Sequence, residues 1–266
     1  MIDLSSIMGH RDVLFITLDT LRYDVAVQAL AQGMTPLLAG LLPGGRWEKR
    51  HSPGSFTYAA HQAFFAGFLP TPARPGRHPR LFALEFPGSE TIGSGTWVFN
   101  QPSIVAGFAA LGYHTICIGG TGFFNTTTAL GRVMPGYFAE HHWHPRLGVM
   151  DPHSTRHQVA LAVERLQALP SERRAFLFIN ISALHRPNHG YLAGARQDTC
   201  ETQMAALGYV DRELPPVIAA LRARGGCLAI LCSDHGTAYG DDGFNGHRLA
   251  HPAVWTVPYA EMVIAP

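Results

Sequence analysis

Two segments more than two hundred residues apart constrain this chain most: DVLFITLDTLRYD, beginning at Asp12, and CLAILCSDHGTAYGDDG, beginning at Cys227. Each opens with a short apolar run that reads as a buried strand. Each delivers chemistry at its C-terminal end, Asp19 in the first and the adjacent Asp234 and His235 in the second. Open α/β sheets build their sites outside the carboxyl ends of their strands. If the two runs are neighbours in one sheet, two carboxylates and an imidazole converge there.

The rest of the chain fits such a sheet. VLFITL (13–18), HTICIG (114–119), AFLFINIS (175–182) and CLAILCS (227–233) read as strands. Helical patterns lie between them: VAVQALAQG and TPLLAGLL, HQAFFAGF after a Ser/Thr/Gly segment, SIVAGFAALG ended by Gly112, QVALAVERLQAL closed by Pro170, and MAALGYVDRELPPVIAALRARGG. This alternation predicts an α/β fold, a mostly parallel sheet sandwiched by helices, with residues 1–266 as one domain. The Pro/Gly-rich stretch near 70–95 reads as a surface excursion.

Composition narrows the function. With 266 residues and 47% hydrophobic content, the chain can bury a core without disulfides or metals. A formal net charge of +1 and 15% charged residues provide no field for a nucleic acid polymer or a membrane surface. The four cysteines show no CxxC pairing, and Cys227 and Cys232 read as small core residues. No apolar run has secretory or bilayer-spanning length, so a cytoplasmic protein is expected.

Fifteen histidines are the unusual count. Asp19 and Asp234 are oxygen ligands and His235 a nitrogen ligand, a mixture suited to zinc or manganese rather than calcium. His185 and His189 follow another strand end, and Thr57 lies where a loop meets a helix. There it is either an N-cap or an activated nucleophile. His247 and His251 compete for one ligand role. His141, His142 and His144 are expected to lie outside the core metal site.

These segments, in this order, resemble the alkaline phosphatase superfamily, which includes sulfatases, phosphodiesterases and phosphoglycerol transferases. DVLFITLDTLRYD is similar to the opening that carries the first metal carboxylate, and LCSDHGTAYGDDGFNGHRLAHPAVWTVPYAEMVIAP to the closing segment. TYAAHQAFFAGFLP resembles the phosphodiesterase pattern of a Thr followed four residues later by His. The resemblance implies an alkaline-phosphatase-like core with one metal on Asp19, Thr57, Asp234 and His235, Thr57 being also the catalytic nucleophile. It implies a second ion on His185, His189 and His247, so two zinc ions (or manganese), although an imidazole then replaces the usual carboxylate. His61 becomes a candidate substrate-binding residue, and Arg22, Asp24, Asp241 and Asp242 candidate supporting groups.

Two departures matter. The segment at Thr57 lacks the Cys or Ser with Pro-Ser-Arg from which sulfatases make formylglycine, which favours phosphate over sulfate. Ala60 stands where the phosphodiesterases have a phosphate-holding Asn. The resemblance therefore implies a metal-dependent hydrolase of phosphoric esters acting through a phosphothreonine, on a small phosphorylated substrate or a modified peptide or nucleotide. The alternatives are a single-metal phosphotransferase, a sulfatase-like hydrolase and a non-catalytic metal-binding module.

Overall fold

The protein is represented by a computed structural model that describes residues 2–67 and 103–266. The stretch near 70–95 lies outside the described residues. In chain order the elements are β1 (Asp12–Leu18), α1 (Tyr23–Ala31), α2 (Pro36–Leu41), β2 (Glu48–His51), α3 (Thr57–Ala66), α4 (Ile104–Ala110), β3 (His114–Ile118) and β4 (Glu140–His142). There follow α5 (Ser154–Ala168), β5 (Ala175–Ile181), α6 (Cys200–Glu213), α7 (Pro215–Ala223), β6 (Cys227–Cys232), the short pair β7 (Ala238–Tyr239) and β8 (Asn245–Gly246), α8 (Pro252–Trp255) and β9 (Thr256–Ile264).

One seven-stranded sheet has the order β2-β9-β6-β1-β5-β3-β4. The strands β6, β1, β5, β3 and β4 run parallel, while β9 is antiparallel to both β6 and β2. The fold is thus a mostly parallel α/β sheet. Strands β1 and β5 are buried along their whole length and mostly apolar, because helices or loops cover both faces.

Alternation along the strands separates two cores. Leu14, Ile16 and Leu18 of β1 join Leu177, Ile179 and Ile181 of β5 in a core shared with α1, α2, α5, α6 and α7. On the other face Val13, Phe15, Phe176 and Phe178 meet Phe65 of α3 and Val105 of α4. That face is aromatic: Phe178 packs edge-on against Phe15 and Phe65, at centroid distances of 5.5 and 5.2 Å. Each such pair adds about 0.5–1.5 kcal/mol beyond its area.

The helical region from Met204 to Gly226 forms two helices, because Pro215 opens a new one at the position where its missing N–H costs nothing. Register then places the site. Thr17 of β1 sits opposite Asn180 of β5 and Cys232 of β6. Asp19 and Asp234 therefore emerge two residues farther on, from adjacent strands, at one edge of the sheet.

Candidate metal centre and nucleophile

The turn after β1 is tight. Thr20 adopts a left-handed backbone (φ 63°), uncommon for a β-branched residue and a form of strain found at functional sites. This turn aims the Thr20 N–H at Asp234 Oδ1 (3.1 Å), while Asp19 N donates to Ile181 O (3.1 Å). Gln203 on α6 holds the turn by donating to Thr20 O (2.9 Å). After β6, Gly236 lies against α8: a Cβ there would come within 2.0 Å of Ala253 O. The backbone that presents Asp234 and His235 consequently requires glycine at this point.

Asp19, Asp234 and His235 are fully buried, and each offers one ligand atom within 4.8 Å of the others. Asp19 Oδ2 accepts from Asn180 Nδ2 (3.1 Å), yet Asp19 Oδ1 has no partner. Asp234 Oδ1 accepts from the N–H groups of Thr20 and His235 (3.1 and 3.0 Å), yet Asp234 Oδ2 has none. The His235 Nδ1 donates to Gly236 O (2.8 Å), which leaves the Nε2 lone pair facing Asp234 Oδ2 at 3.4 Å. Buried oxygens without partners are costly. Two carboxylates and an imidazole lone pair turned toward one another, with one oxygen of each carboxylate unpartnered, fit a divalent cation.

The electrostatics agree. Burial, then the Asp234 charge, raises Asp19 to about 6, and burial raises Asp234 to about 7. Burial lowers His235, keeping its ring neutral. Because their folded pKa values exceed the unfolded ones, Asp19 and Asp234 bind more protons in the metal-free fold than in the unfolded chain between about pH 4 and pH 7. These two carboxylates therefore contribute stability that falls as pH rises through 6 and 7, while His235, its pKa lowered, contributes in the opposite sense as pH falls below the ordinary histidine range. Saturating zinc should reverse that fall, because metal displaces protons from its ligands. Thermal melts across pH with chelator and with zinc check this, and parallel curves would contradict it.

Thr57 is the first residue of α3, two per cent exposed. The N-cap is Phe56, with no side-chain cap, so Thr57 is not consumed as a cap. Its Oγ1 lies 3.4 Å from Asp19 Oδ2 and 3.3 Å from His235 Nε2. The loop before it is tied in from two sides. The single Ser52 hydroxyl proton has Gly54 O (2.7 Å) and Asp234 O as its two available acceptors, and Arg248 N donates to Ser55 O (2.8 Å).

The remaining candidates separate. The His247 ring is 4.7 Å from His235 and 5.8 Å from His185 by centroids, so three imidazoles line the approach to the carboxylates. Burial, His235 and His185 lower His247 to about 3. His251 instead accepts from Ala253 N (3.1 Å) and pairs with Asp242 (3.1 Å), a capping role that leaves His247 facing the site. His189 lies outside the tight ligand set, and its Nδ1 is held by Asp198 (3.0 Å), which also accepts from the N–H groups of Asn188 and His189. Among the described residues only Asp19, Asp234 and His235 form a tight ligand set, so one such set is present where two were expected.

His61 is also placed otherwise than expected. It is fully buried, with Nδ1 on Thr57 O (2.7 Å) and Nε2 on Thr17 Oγ1 (2.9 Å), so both ring nitrogens are engaged inside the protein instead of facing substrate. Burial depresses it to about 3. Arg22 joins the two ends of the chain by pairing with Asp24 (2.6 Å) and Asp241 (2.7 Å). The residues not singled out from sequence are Thr17 and Asn180. Asn180 Nδ2 bridges Thr17 Oγ1 (3.2 Å) and Asp19, closing a ring of contacts through His61 back to Thr57. A polar residue inside the apolar run AFLFINI was the available signal, since a buried amide must find partners.

Sheet and site together define an α/β scaffold with a candidate metal-ligand set at its carboxyl edge, and the solved structures it matches show the alkaline-phosphatase-like fold. The chain is similar to the C-terminal periplasmic domain of EptC from Escherichia coli, solved with zinc (TM-score 0.65, 12% identity, covering 96% of this chain and 73% of that one). It is similar to the C-terminal periplasmic domain of phosphoethanolamine transferase EptC from Campylobacter jejuni (0.62, 13%, 95% and 79%). A protein of the alkaline phosphatase superfamily from Vibrio parahaemolyticus also matches (0.60, 16%, 96% and 61%). No protein-family model and no curated protein sequence matches the chain. The cytoplasmic expectation is corrected by these neighbours, because those with a stated compartment are periplasmic domains. Among the described residues no helix is long and apolar enough to cross a membrane.

Proposed function

We propose that this chain is a phosphoryl-group enzyme with Thr57 as nucleophile, dependent on one divalent ion, zinc foremost, and acting outside the cytoplasm as its periplasmic neighbours do. The observation that carries the reading is the approach of Thr57 Oγ1 to Asp19 and His235, beside two buried carboxylate oxygens without partners. Asp19, Thr57, Asp234 and His235 would hold the ion. When bound, such an ion polarises phosphoryl oxygens and lowers the pKa of a hydroxyl beside it.

The protein's own groups then have definite work. Thr57 Oγ1 attacks phosphorus in line with the leaving oxygen; the bond to threonine forms as the ester bond breaks. The first turn of α3 supplies N–H groups without intrahelical acceptors for the charge that develops. The proton that Thr57 loses must reach the leaving oxygen, and His185, half-buried beside His247 with Nδ1 donating to Arg186 O, is the candidate to carry it on Nε2. His247, kept neutral by burial and its neighbours, accepts the proton of the next nucleophile as that nucleophile takes phosphorus from Thr57.

That second nucleophile separates a transferase from a hydrolase. The Campylobacter neighbour is a phosphoethanolamine transferase, which supports transfer to an acceptor other than water, such as an alcohol, and hydrolysis is the second reading. A two-ion centre using His185, His189 and His247 draws less support, because these three do not form a tight ligand set among the described residues. The substrate is a small phosphorylated molecule.

Zinc-loaded protein incubated with 4-nitrophenyl phosphate and bis(4-nitrophenyl) phosphate tests this. Transfer predicts nitrophenol release that rises with added alcohol, with phosphorylated alcohol as product. Hydrolysis predicts release indifferent to alcohol. No release from either ester with metal bound would sink both and leave a metal-binding module.

A further inference from the structure

The histidines that the metal centre leaves unused gather elsewhere. His141 and His142 end β4, His144 follows, and His157 comes from the first turns of α5. Together with Trp143 and Arg146 they line a concave pocket of about 530 Å³. We propose that this pocket is a phosphate-binding subsite, which takes a second phosphate group of the substrate while the first reacts at Thr57. The proposal rests on the phosphoryl-transfer reading above and names the substrate class, a small molecule carrying two phosphate groups.

Donors are in excess here. The Arg146 guanidinium contacts the His157 ring (3.1 Å to Nε2) and forms no ion pair among the described residues, so most of its five N–H donors face no protein acceptor. His144 Nδ1 accepts from Arg146 N (3.3 Å), which puts a neutral ring's proton on Nε2, away from the backbone. The nearby carboxylates are engaged. Glu140 is bonded to His114 and His142 (2.7 Å each) and lies 3.7 Å from Arg165. Glu164 pairs with Arg165 (2.6 Å), and Asp151 accepts from His153 N (2.7 Å) while lying 3.9 Å from His157. A guanidinium with imidazole N–H donors is a phosphate-binding chemistry. A metal fits less well, since none of these histidines belongs to a tight ligand set among the described residues.

Two connections bind the pocket to the reacting centre. Leu147 on its floor accepts from Ser182 Oγ (2.8 Å), next to Ile181, whose carbonyl takes the Asp19 N–H (3.1 Å). Thr126 on its wall belongs to the loop whose Phe123 ring packs against Phe56 and Tyr58, the two residues flanking Thr57 (centroids 6.2 and 5.6 Å). The pocket and the nucleophile thus share one edge of the sheet and one connecting loop.

The probe is inorganic phosphate, titrated into zinc-loaded protein while imidazole nitrogen–proton spectra are recorded. Saturable shifts of His141, His144 and His157 are expected, with affinity at these signals reduced about tenfold or more in the Arg146→Ala/His144→Ala variant, as loss of charge-assisted hydrogen bonds requires. In turnover, that variant should raise KM for an alkanediol bisphosphate about tenfold while leaving kcat/KM for 4-nitrophenyl phosphate unchanged. Absence of these shifts, shifts unchanged in the variant, or a response to excess zinc but not to phosphate would overturn the subsite. If no ester is turned over, the functional reading fails by itself, and the phosphate shifts still decide the subsite.

Discussion

Thr57→Ala is expected to lower phosphoryl transfer by about a thousandfold or more, the scale on which enzymes lose activity when a covalent nucleophile is removed. The side chain sits at the first position of α3 with its hydroxyl between Asp19 and His235, and the helix gains no cap from it. Alanine should therefore leave the fold intact, and Asp19, Asp234 and His235 should still bind zinc, more weakly for the lost fourth ligand. Thr57→Ser restores the oxygen without the methyl group that fixes its rotamer, so part of the rate should return. Steady-state kinetics with metal content measured on the same samples check this. A wild-type rate in Thr57→Ala would remove threonine from the mechanism.

Asp234→Asn should show opposite effects with and without metal. In the metal-free protein Asp234 faces Asp19 and His235 with one oxygen unpartnered and no cation to compensate. Asparagine keeps an oxygen for the Thr20 and His235 N–H groups but removes the charge. In chelator at pH 8 the variant should be more stable than wild type by about 3 kcal/mol, the order of an uncompensated buried charge. In saturating zinc the order should reverse, because wild type alone gains the full binding free energy. Denaturant unfolding under both conditions measures the two differences, and a variant less stable in both would contradict the account of Asp234 as a buried metal ligand whose charge is uncompensated without the ion.

Much of this was legible because the four strands β1, β3, β5 and β6 are continuous apolar runs buried on both faces. The others were not. β2 is EKRH, fully exposed in pattern and formed only by pairing with β9. β9 contains Pro258 near its start, a residue that argues against a strand, yet its carbonyl accepts Ser233 N (3.1 Å). β4 is EHH, three polar residues that pair only because β3 lies beside them.

At the site, Asp19, Asp234 and His235 could be read because strand ends in such sheets point to one place. His61 and His189 could not be oriented, because spacing along the chain does not say whether a histidine turns inward to Thr17 or outward to Asp198. Thr17 and Asn180 sat unremarked inside apolar runs, where only the register shows that they meet. The cytoplasmic expectation rested on apolar runs and flanking patterns, which do not report the compartment in which a folded domain works.

Metal per chain tests the central claim most directly: wild-type protein, dialysed against zinc and then metal-free buffer, is measured by elemental analysis beside Asp234→Ala. The buried triad predicts about one zinc ion per wild-type chain, since a tight site needs three or four protein ligands, and near zero in the variant. No retained zinc in wild type, or equal zinc in both proteins, would contradict a metal centre at Asp19, Asp234 and His235.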